Sequence, residues 1–311
     1  MKKDFEMHNQ AMPKLRFSGH QTFVARNGWL EKGVELVAEN PHGFLDDSAV
    51  VVLGVGKNMV ESIKYWCLQT GLIKDGQESG MMQLTDLGRF IFGDGKEPGA
   101  DPYLEDDATL WMLHYKIVTE APTSTWTMVF NHYNKPEFRK EELLQFIFRH
   151  LGVANKSLSV KTIERDIDCF VRTYAGTRVK GGEESFDSPF LTLHLIQATS
   201  DSGLYRLNIG RKNNLPESLV GYAILQYMKS IHELDVALTR LLFEPCSPGQ
   251  VFKLDQGALV DAVLSLEKDC KNKLSYSDTA GLATVRYNGD RLKLEEDAQL
   301  FLRRYYREKE A

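Results

Sequence analysis

Apolar positions recur along most of this chain three or four residues apart, which is the spacing of amphipathic helices. The first such run, over 28–40, ends at Asn40-Pro41, and the next ends at Gly71, which is typical of a helix C-terminus. Between the helical runs lie short alternating stretches with turn residues between them, which predict hairpins. The pattern therefore predicts a mainly α-helical protein with small β-hairpins.

The stretch that ends at Gly71 predicts a winged-helix-like unit. A helix leads into Gly71, a polar loop with Gly76 and Gly80 follows, and Thr85 opens another helix. A helix, a glycine-bearing hairpin and a further helix form the layout of a winged helix. Since winged helices serve protein pairing as well as DNA binding, the fold alone leaves both functions open.

A second helix-turn-helix is predicted by helices over 141–151 and 160–174, the latter capped by Ser157 or Ser159. Strands over 191–198 and 204–209 would form its wing, and a third winged unit in the last third of the chain stays open. We therefore expect tandem winged-helix-like units. The predicted divisions are a flexible tail (1–15), an N-terminal winged-helix-like domain (16–100), a helical linker (101–134), a second winged-helix-like domain (135–212) and a C-terminal helical domain (213–311).

Composition narrows the class of protein. The 311 residues suffice for two or three cores, and no stretch approaches the roughly 20 apolar residues of a membrane span or the core of a signal peptide. We therefore expect a cytoplasmic protein without a membrane partner. The 4 cysteines are scattered and form no Cys-x-x-Cys pair, so buried free thiols are expected rather than a zinc or disulfide site. With a net charge of -5, any contact with DNA must come from local basic patches.

Two predicted helix surfaces carry candidate DNA-binding residues. These candidates are Lys57, Asn58, Ser62 and Lys64 on the first helix, and Lys161, Arg165 and Arg172 on the second. Further basic residues precede the second helix, including Lys135, Arg139, Lys140 and Arg149, but Glu164, Asp166 and Asp168 interrupt the patch. An ordinary solvated helix face and a phosphate-binding face therefore remain open alternatives.

Nucleotide and metal sites have weaker signals. The run Gly54-Val55-Gly56-Lys57-Asn58 lacks the first glycine of a phosphate loop, and Asn58 stands where a Ser or Thr is needed, so no nucleotide cofactor is predicted. No Glu-x-Lys nuclease motif occurs. The acidic clusters at 46–47 and 105–107 could hold Mg or Mn, but acids near helix N-termini explain them as well.

The densest group of functional residue types lies over 16–30. His20 could move a proton and Arg26 could bind a phosphate, which makes these two the candidate catalytic residues. The alternative is that both are held against a domain seam by hydrogen bonds.

Several strings resemble a bacterial family encoded beside DNA phosphorothioation genes, which includes the SspB-type DNA nickase. The strings are FSGHQTF (17–23), WLEKG (29–33), LGVGKNMV (53–60), SIKYW (62–66), FEPCSPGQVFKLD (243–255) and DTAGL (278–282). The resemblance implies nicking of one DNA strand, so that a cysteine desulfurase and an ATP-using sulfurtransferase can place sulfur in the backbone for anti-phage defence. Gln21 departs from the family pattern, where an acid is expected before Thr-Phe. If that acid binds metal or takes part in catalysis, this member would not cleave.

These observations leave three functions open. The first is a nickase with a site near His20 and Arg26. The second is a non-catalytic DNA-recognition or regulatory subunit that recruits modification enzymes. The third is a protein-interaction scaffold.

Overall fold

The computed structural model describes residues 16–93, 97–121, 125–151, 159–178, 184–185, 188–269 and 273–310. Helices dominate these residues and the strands form only small antiparallel sheets, so the prediction of a mainly helical protein with small hairpins is confirmed. None of the helices within these ranges has the length and apolar character needed to span a bilayer.

The N-terminal part contains four helices and one hairpin. Its elements are α1 (Trp29–Glu39), α2 (Ala49–Leu53), α3 (Lys57–Gln69), β1 (Ile73–Asp75), β2 (Met82–Leu84) and α4 (Asp86–Phe92). Gly54 ends α2 with a φ of 66°, which favours glycine. Gly33 lets α1 approach α3, because a Cβ at this position would stand 2.5 Å from Sγ of Cys67. The sequence placed the first helix and this hairpin correctly.

The middle part begins with two helices, α5 (Asp107–Thr119) and α6 (Thr125–His132). It continues with β3 (Glu137–Phe138), α7 (Lys140–Leu151), α8 (Val160–Ala175), β4 (Thr177–Arg178), β5 (Glu184–Ser185), β6 (Ile196–Ala198) and β7 (Tyr205–Leu207). The Ser159 side chain accepts a hydrogen bond from the Thr162 amide, which confirms one of the two predicted caps. The strand expected over 191–198 is shorter, because a 3-10 helix occupies Pro189–Leu193.

The C-terminal part also combines helices with a three-stranded sheet. It contains α9 (Glu217–Ile231), β8 (Asp235–Ala237), α10 (Leu238–Phe243), α11 (Pro248–Phe252), α12 (Gln256–Asp269), β9 (Leu274–Thr279), β10 (Leu282–Tyr287) and α13 (Leu294–Glu310). Its sheet has the order β8-β10-β9, and the middle sheet has the order β3-β7-β6. In both sheets the first strand therefore pairs with the third, and helices lie between the first and second strands.

Helix α5 lies inside the segment predicted as a linker, yet it is buried along nearly its whole length. Its His114 is fully buried among aromatic rings and bonds on both sides, to Oη of Tyr174 at 2.7 Å and to the Val251 carbonyl at 2.9 Å. Burial lowers the pKa of His114 to about 3, and the charge of Lys253 acts in the same direction. A neutral histidine thus joins α5 to α8 and α11.

Lys253 is buried, and within the described residues no carboxylate is among its hydrogen-bond partners. Its Nζ donates to the Phe130 carbonyl and to Oε1 of Gln250, each at 2.9 Å. Burial lowers the pKa of Lys253 to about 7, because the charged form loses its hydration. The lysine packs the loop after α11 against α6 and titrates near neutral pH.

The cysteines of the described residues are free thiols, as predicted. Cys67 and Cys169 are buried and Cys246 is partly buried, and burial raises the pKa of each thiol. Cys270 lies outside the described residues.

Candidate nucleic-acid interface

The N-terminal segment that carries the candidate catalytic residues precedes α1 in the sequence. In the fold it forms a loop that packs against both α3 and α8. Gly19 lies against the ring of Tyr65, and a Cβ there would stand 2.5 Å from that ring. The Phe23 carbonyl accepts hydrogen bonds from Nε1 of Trp66 at 3.1 Å and from Sγ of Cys169 at 3.3 Å. Residues 18–23, called the pinned loop below, are therefore fixed by both helices.

A buried carboxylate at the centre of α8 anchors this loop. Oδ1 of Asp166 accepts from the Ser18 amide at 2.8 Å and from Nε2 of His20 at 3.0 Å. Its Oδ2 accepts from Thr125, through the hydroxyl at 2.7 Å and the amide at 3.3 Å. Asp166 is 1% exposed, so these four donors replace the water that a carboxylate requires.

His20 is the loop residue most completely enclosed. It is 0% exposed, and its ring meets Tyr65 and Trp126 edge-on at centroid distances of 5.8 and 6.0 Å. Its Nδ1 accepts a hydrogen bond from the Thr22 amide at 3.0 Å, so the ring proton lies on Nε2, opposite Asp166. Both ring nitrogens are thereby used inside the protein. The catalytic role of His20 remains a prediction, and no face of the ring meets solvent in this conformation.

The pinned loop has an unusual backbone. Ser18, Gln21 and Thr22 have φ values of 64°, 50° and 68°, in the left-handed region that non-glycine residues seldom adopt. A threonine there is especially unfavourable, because its side chain is branched at Cβ. Such strain persists only where surrounding bonds fix the conformation, and it concentrates at functional sites.

Arg26, the second candidate catalytic residue, is half-buried. Its guanidinium lies over the rings of Phe23 and Trp29, with Cζ 5.8 and 5.3 Å from their centroids. Its charge is thus stabilised by two aromatic faces at the start of α1.

Lys161, Arg165 and Arg172 share one face of α8, because they are spaced four and seven residues apart. Lys161 and Arg165 are exposed, whereas the guanidinium of Arg172 donates to the Thr22 carbonyl. The interpretation of Asp166 as an interruption of this basic face was wrong, because its side chain points inward to the pinned loop. The helical period contained the signal, since Asp166 lies three residues from Ile163 and four from Phe170, both buried.

The basic patch is smaller than the sequence suggested, because most of its neighbouring cations are neutralised. The ion pairs are Lys135 with Glu142, Arg139 with Asp201, Lys140 with Asp168, and Arg206 with Glu137. Arg149 donates to the carbonyl of Gln145 in its own helix. Within the ranges that the structure describes, Lys161 and Arg165 make no ion pair, so their charges face solvent.

Helix α3 offers a second basic surface. Lys57 and Asn58 are exposed in its first turn, and Lys64 is partly exposed on the same side as Lys57. Ser62 differs from expectation, because it is 0% exposed and its hydroxyl has no hydrogen-bond partner within the described residues. A side chain buried in this way cannot contact DNA at the surface.

One carboxylate in each acidic cluster considered as an ion ligand forms local hydrogen bonds. Asp46 accepts from the Ser48 amide at 2.8 Å, which lowers the pKa of Asp46. Asp106 caps α5 by accepting from the Ala108 amide at 2.9 Å, and it also accepts from Oη of Tyr305 at 2.9 Å. Among the residues described, no three His, Cys, Asp or Glu side chains form a metal-binding group. Asp46 and Asp106 are therefore engaged in hydrogen bonds within the protein.

Comparison with known proteins relates the whole architecture to solved structures. A family model described as a protein of unknown function, DUF4007, matches residues 17–306. A structure described as magnesium ion-bound SspB has a TM-score of 0.83, and one described as SspB has a TM-score of 0.84. Each is 28% identical in sequence and covers 93% of this chain and 87% of the other chain. None of the curated protein sequences compared matches this chain.

Proposed function

Because the chain belongs to the DUF4007 family and its structure is similar to SspB, we propose that it binds DNA within a phosphorothioation-based system of defence against phage. The similarity over 93% of the chain supports the association with phosphorothioation, which the sequence motifs also imply. The cysteine desulfurase and the ATP-using sulfurtransferase of such a system are the proposed protein partners.

The order of elements supports winged-helix units as the means of binding. The middle part runs α6, β3, α7, α8, β6, β7, with the short strands β4 and β5 inserted after α8. This is a helix, a strand, two helices and a two-stranded wing. The C-terminal part runs α9, β8, α10, α12, β9, β10 in the same order, with α11 inserted before α12. In this scheme α8 occupies the place of the recognition helix, which enters the major groove in many DNA-binding proteins. The N-terminal helices α2 and α3 and the β1-β2 hairpin would form a shorter unit.

The observation that carries the proposal is the exposed face of α8. Lys161 and Arg165 project from it without ion pairs in the described part of the chain, whereas four cations near them are each paired with a carboxylate. A phosphate backbone is the partner that unpaired cations on a recognition helix suit best. The basic start of α3, with Lys57 and Lys64, supplies a second set of proposed phosphate contacts.

Binding is tested by fluorescence anisotropy of the purified chain with a labelled duplex of mixed sequence, at about 50 and 200 mM salt. We expect saturable binding that weakens steeply as the salt concentration rises, because cation release from phosphates accompanies it. Absence of binding at the lower salt concentration would refute the proposal and favour a protein-interaction scaffold.

The finer question is whether the protein cuts one strand. A plasmid assay with Mg²⁺, Mn²⁺ or a chelator follows conversion of supercoiled to open-circle DNA. His20→Gln is the informative variant, because an amide can still donate to Asp166 but cannot transfer a proton. Nicking that disappears in a folded His20→Gln protein would support a nickase that uses His20, and nicking that persists would remove His20 from the reaction.

A non-catalytic recognition subunit is the second candidate function. What favours it is that His20 and Asp166 are buried and use their polar atoms to hold the pinned loop. This candidate predicts that duplex binding occurs without any strand break under all three metal conditions.

A further inference from the structure

We propose that Gln21 reads a base in the major groove, with adenine as its target, and that the pinned loop exists to present it. This inference rests on the proposed DNA binding and deepens it by assigning a residue to sequence recognition. It rests on a difference between the two sides of the loop. Polar groups on the inner side form hydrogen bonds within the protein, whereas the side chains on the outer side form none within the described residues.

Polar groups on the inner side of the pinned loop form hydrogen bonds within the protein. The Ser18 amide and Nε2 of His20 are bound to Asp166, and the Ser18 hydroxyl donates to the Thr162 carbonyl at 3.1 Å. The amide of Thr22 donates to Nδ1 of His20. These bonds fix the backbone on either side of Gln21 before any ligand arrives.

The outer side consists of the Gln21 and Thr22 side chains, which are both exposed. Within the described ranges, neither side chain forms a hydrogen bond with the rest of the protein. Both residues are held at positive φ, which costs free energy that no contact of their own side chains repays. A strained turn that exposes a free carboxamide is well suited to ligand recognition.

The turn also lies beside the proposed phosphate contacts. Arg172 shares the exposed face of α8 with Lys161 and Arg165, and its guanidinium reaches the Thr22 carbonyl. From Lys161 to Arg172 the helix rises by about 17 Å, which corresponds to about five base pairs of B-DNA. A duplex contacted by Lys161 and Arg165 would therefore extend alongside the turn that carries Gln21.

The chemistry of the side chain selects the base. A carboxamide presents one acceptor and one donor side by side, and adenine presents the matching N6 donor and N7 acceptor in the major groove. Glutamine and asparagine bind adenine in this bidentate manner, whereas a carboxylate offers acceptors only. Bidentate recognition of adenine thus requires a carboxamide at this position rather than an acid.

The experiment selects bound duplexes from a pool whose central base pairs are randomised and sequences them. The proteins compared are the wild type, Gln21→Ala and Asn27→Ala, the last being a control that removes another exposed carboxamide from the same segment. We expect the wild type and Asn27→Ala to enrich adenine about tenfold at one position. Gln21→Ala should lose that enrichment while its affinity for the unselected pool changes by less than about twofold.

A second measurement tests the groove and the atoms. In the selected duplex, 7-deazaadenine at the enriched position removes the N7 acceptor. It should weaken wild-type binding about tenfold and leave Gln21→Ala binding unchanged.

The outcomes separate this inference from the proposed function. An identical enrichment profile for the wild type and Gln21→Ala, or equal effects of 7-deazaadenine on both, overturns the assignment of Gln21 while DNA binding stands. Failure of the wild type to bind the pool overturns both.

Discussion

Nε2 of His20 donates a hydrogen bond to Oδ1 of Asp166 across 3.0 Å, and neither side chain is more than 1% exposed. The two residues come from different parts of the fold, one from the loop before α1 and the other from the middle of α8. Their pairing attaches the segment with the family motif to the helix with the unpaired cations. The geometry of the pinned loop therefore depends on α8.

Replacement of Asp166 should damage the fold far more than replacement of the nearby Asp168. Asp166→Ala leaves the buried donors of Ser18, His20 and Thr125 without an acceptor, so the free energy of unfolding should fall by about 3–5 kcal/mol. Asp168 is exposed, and its ion pair within the described residues is with Lys140, so Asp168→Ala should cost less than about 1 kcal/mol. Urea denaturation measures both, and equal losses would contradict the anchoring role of Asp166.

A methyl group added at Gly19 should displace the pinned loop. Gly19→Ala places a Cβ 2.5 Å from the buried ring of Tyr65, and such overpacking costs about 1–3 kcal/mol of unfolding free energy. The matched control is Gly56→Ala, since a Cβ at Gly56 meets nothing within 4 Å. Thermal unfolding of both variants gives the comparison, and a Gly19→Ala protein as stable as the control would show that the loop tolerates movement.

Charge reversal on the exposed face of α8 should weaken binding to any duplex. Lys161→Glu and Arg165→Glu should each lower the slope of log affinity against log salt concentration by about 1, because each removes a phosphate contact. Arg206→Glu is the control, since Arg206 is exposed but already paired with Glu137. Anisotropy titrations at several salt concentrations measure the slopes. Equal slopes for all three variants would place the DNA elsewhere.

His114 should make the protein sensitive to acid. Its pKa is 6.5 in the unfolded chain and about 3 in the folded protein, so only the unfolded state takes up the proton between these values. The stability contributed by neutral His114 is thus intact above pH 6.5 and decreases as the pH falls towards 3. His114→Gln keeps a donor and an acceptor but does not titrate. The advantage of the wild type over this variant, measured by urea denaturation, should therefore shrink between pH 6.5 and pH 4.

Lys253 should make the free energy of unfolding depend on pH in the alkaline range. Its pKa is about 7 in the folded protein and 10.5 in the unfolded chain, so between these values the unfolded state holds more protons. The free energy of unfolding should accordingly rise with pH from 7 to 10 in the wild type relative to Lys253→Met, by a few kcal/mol at most. Lys229→Met, at an exposed lysine paired with Glu295, should show no such divergence. Parallel profiles for all three proteins would mean that Lys253 remains charged.

Periodicity predicted α1 and α8 well because each has one apolar face. The predicted helix over 160–174 agrees with α8, and the hairpin after Gly71 agrees with β1 and β2. The apolar spacing over 234–243 predicts a single helix, but in the structure this stretch contains the strand β8 near its start. This strand is set by its antiparallel pairing with β10 about 50 residues later, which no local pattern records.

The candidate site was predictable in its parts but not in its assembly. The sequence identified the segment around His20 and the basic residues of α8, yet it gave no sign that the two lie together. Aspartate is a residue type that usually lies in solvent, and only the position of Asp166 on the buried face of α8 distinguishes it from Asp168. The neutralisation of Arg139 and Arg206 depends on partners about 60 to 70 positions away. Ser62 was predicted to bind DNA, but α3 directs its hydroxyl towards the core.

The distance in sequence between the pinned loop and Asp166 has a consequence for how the chain folds during its synthesis. The loop emerges from the ribosome before its anchor in α8, which follows 146 positions later. At about 5–20 residues per second, the strained turns must wait roughly 7 to 30 s for the carboxylate that holds them. During that interval the N-terminal segment has been synthesised but lacks the bonds that fix its conformation. The pinned loop can therefore take up its final conformation only after α8 has formed.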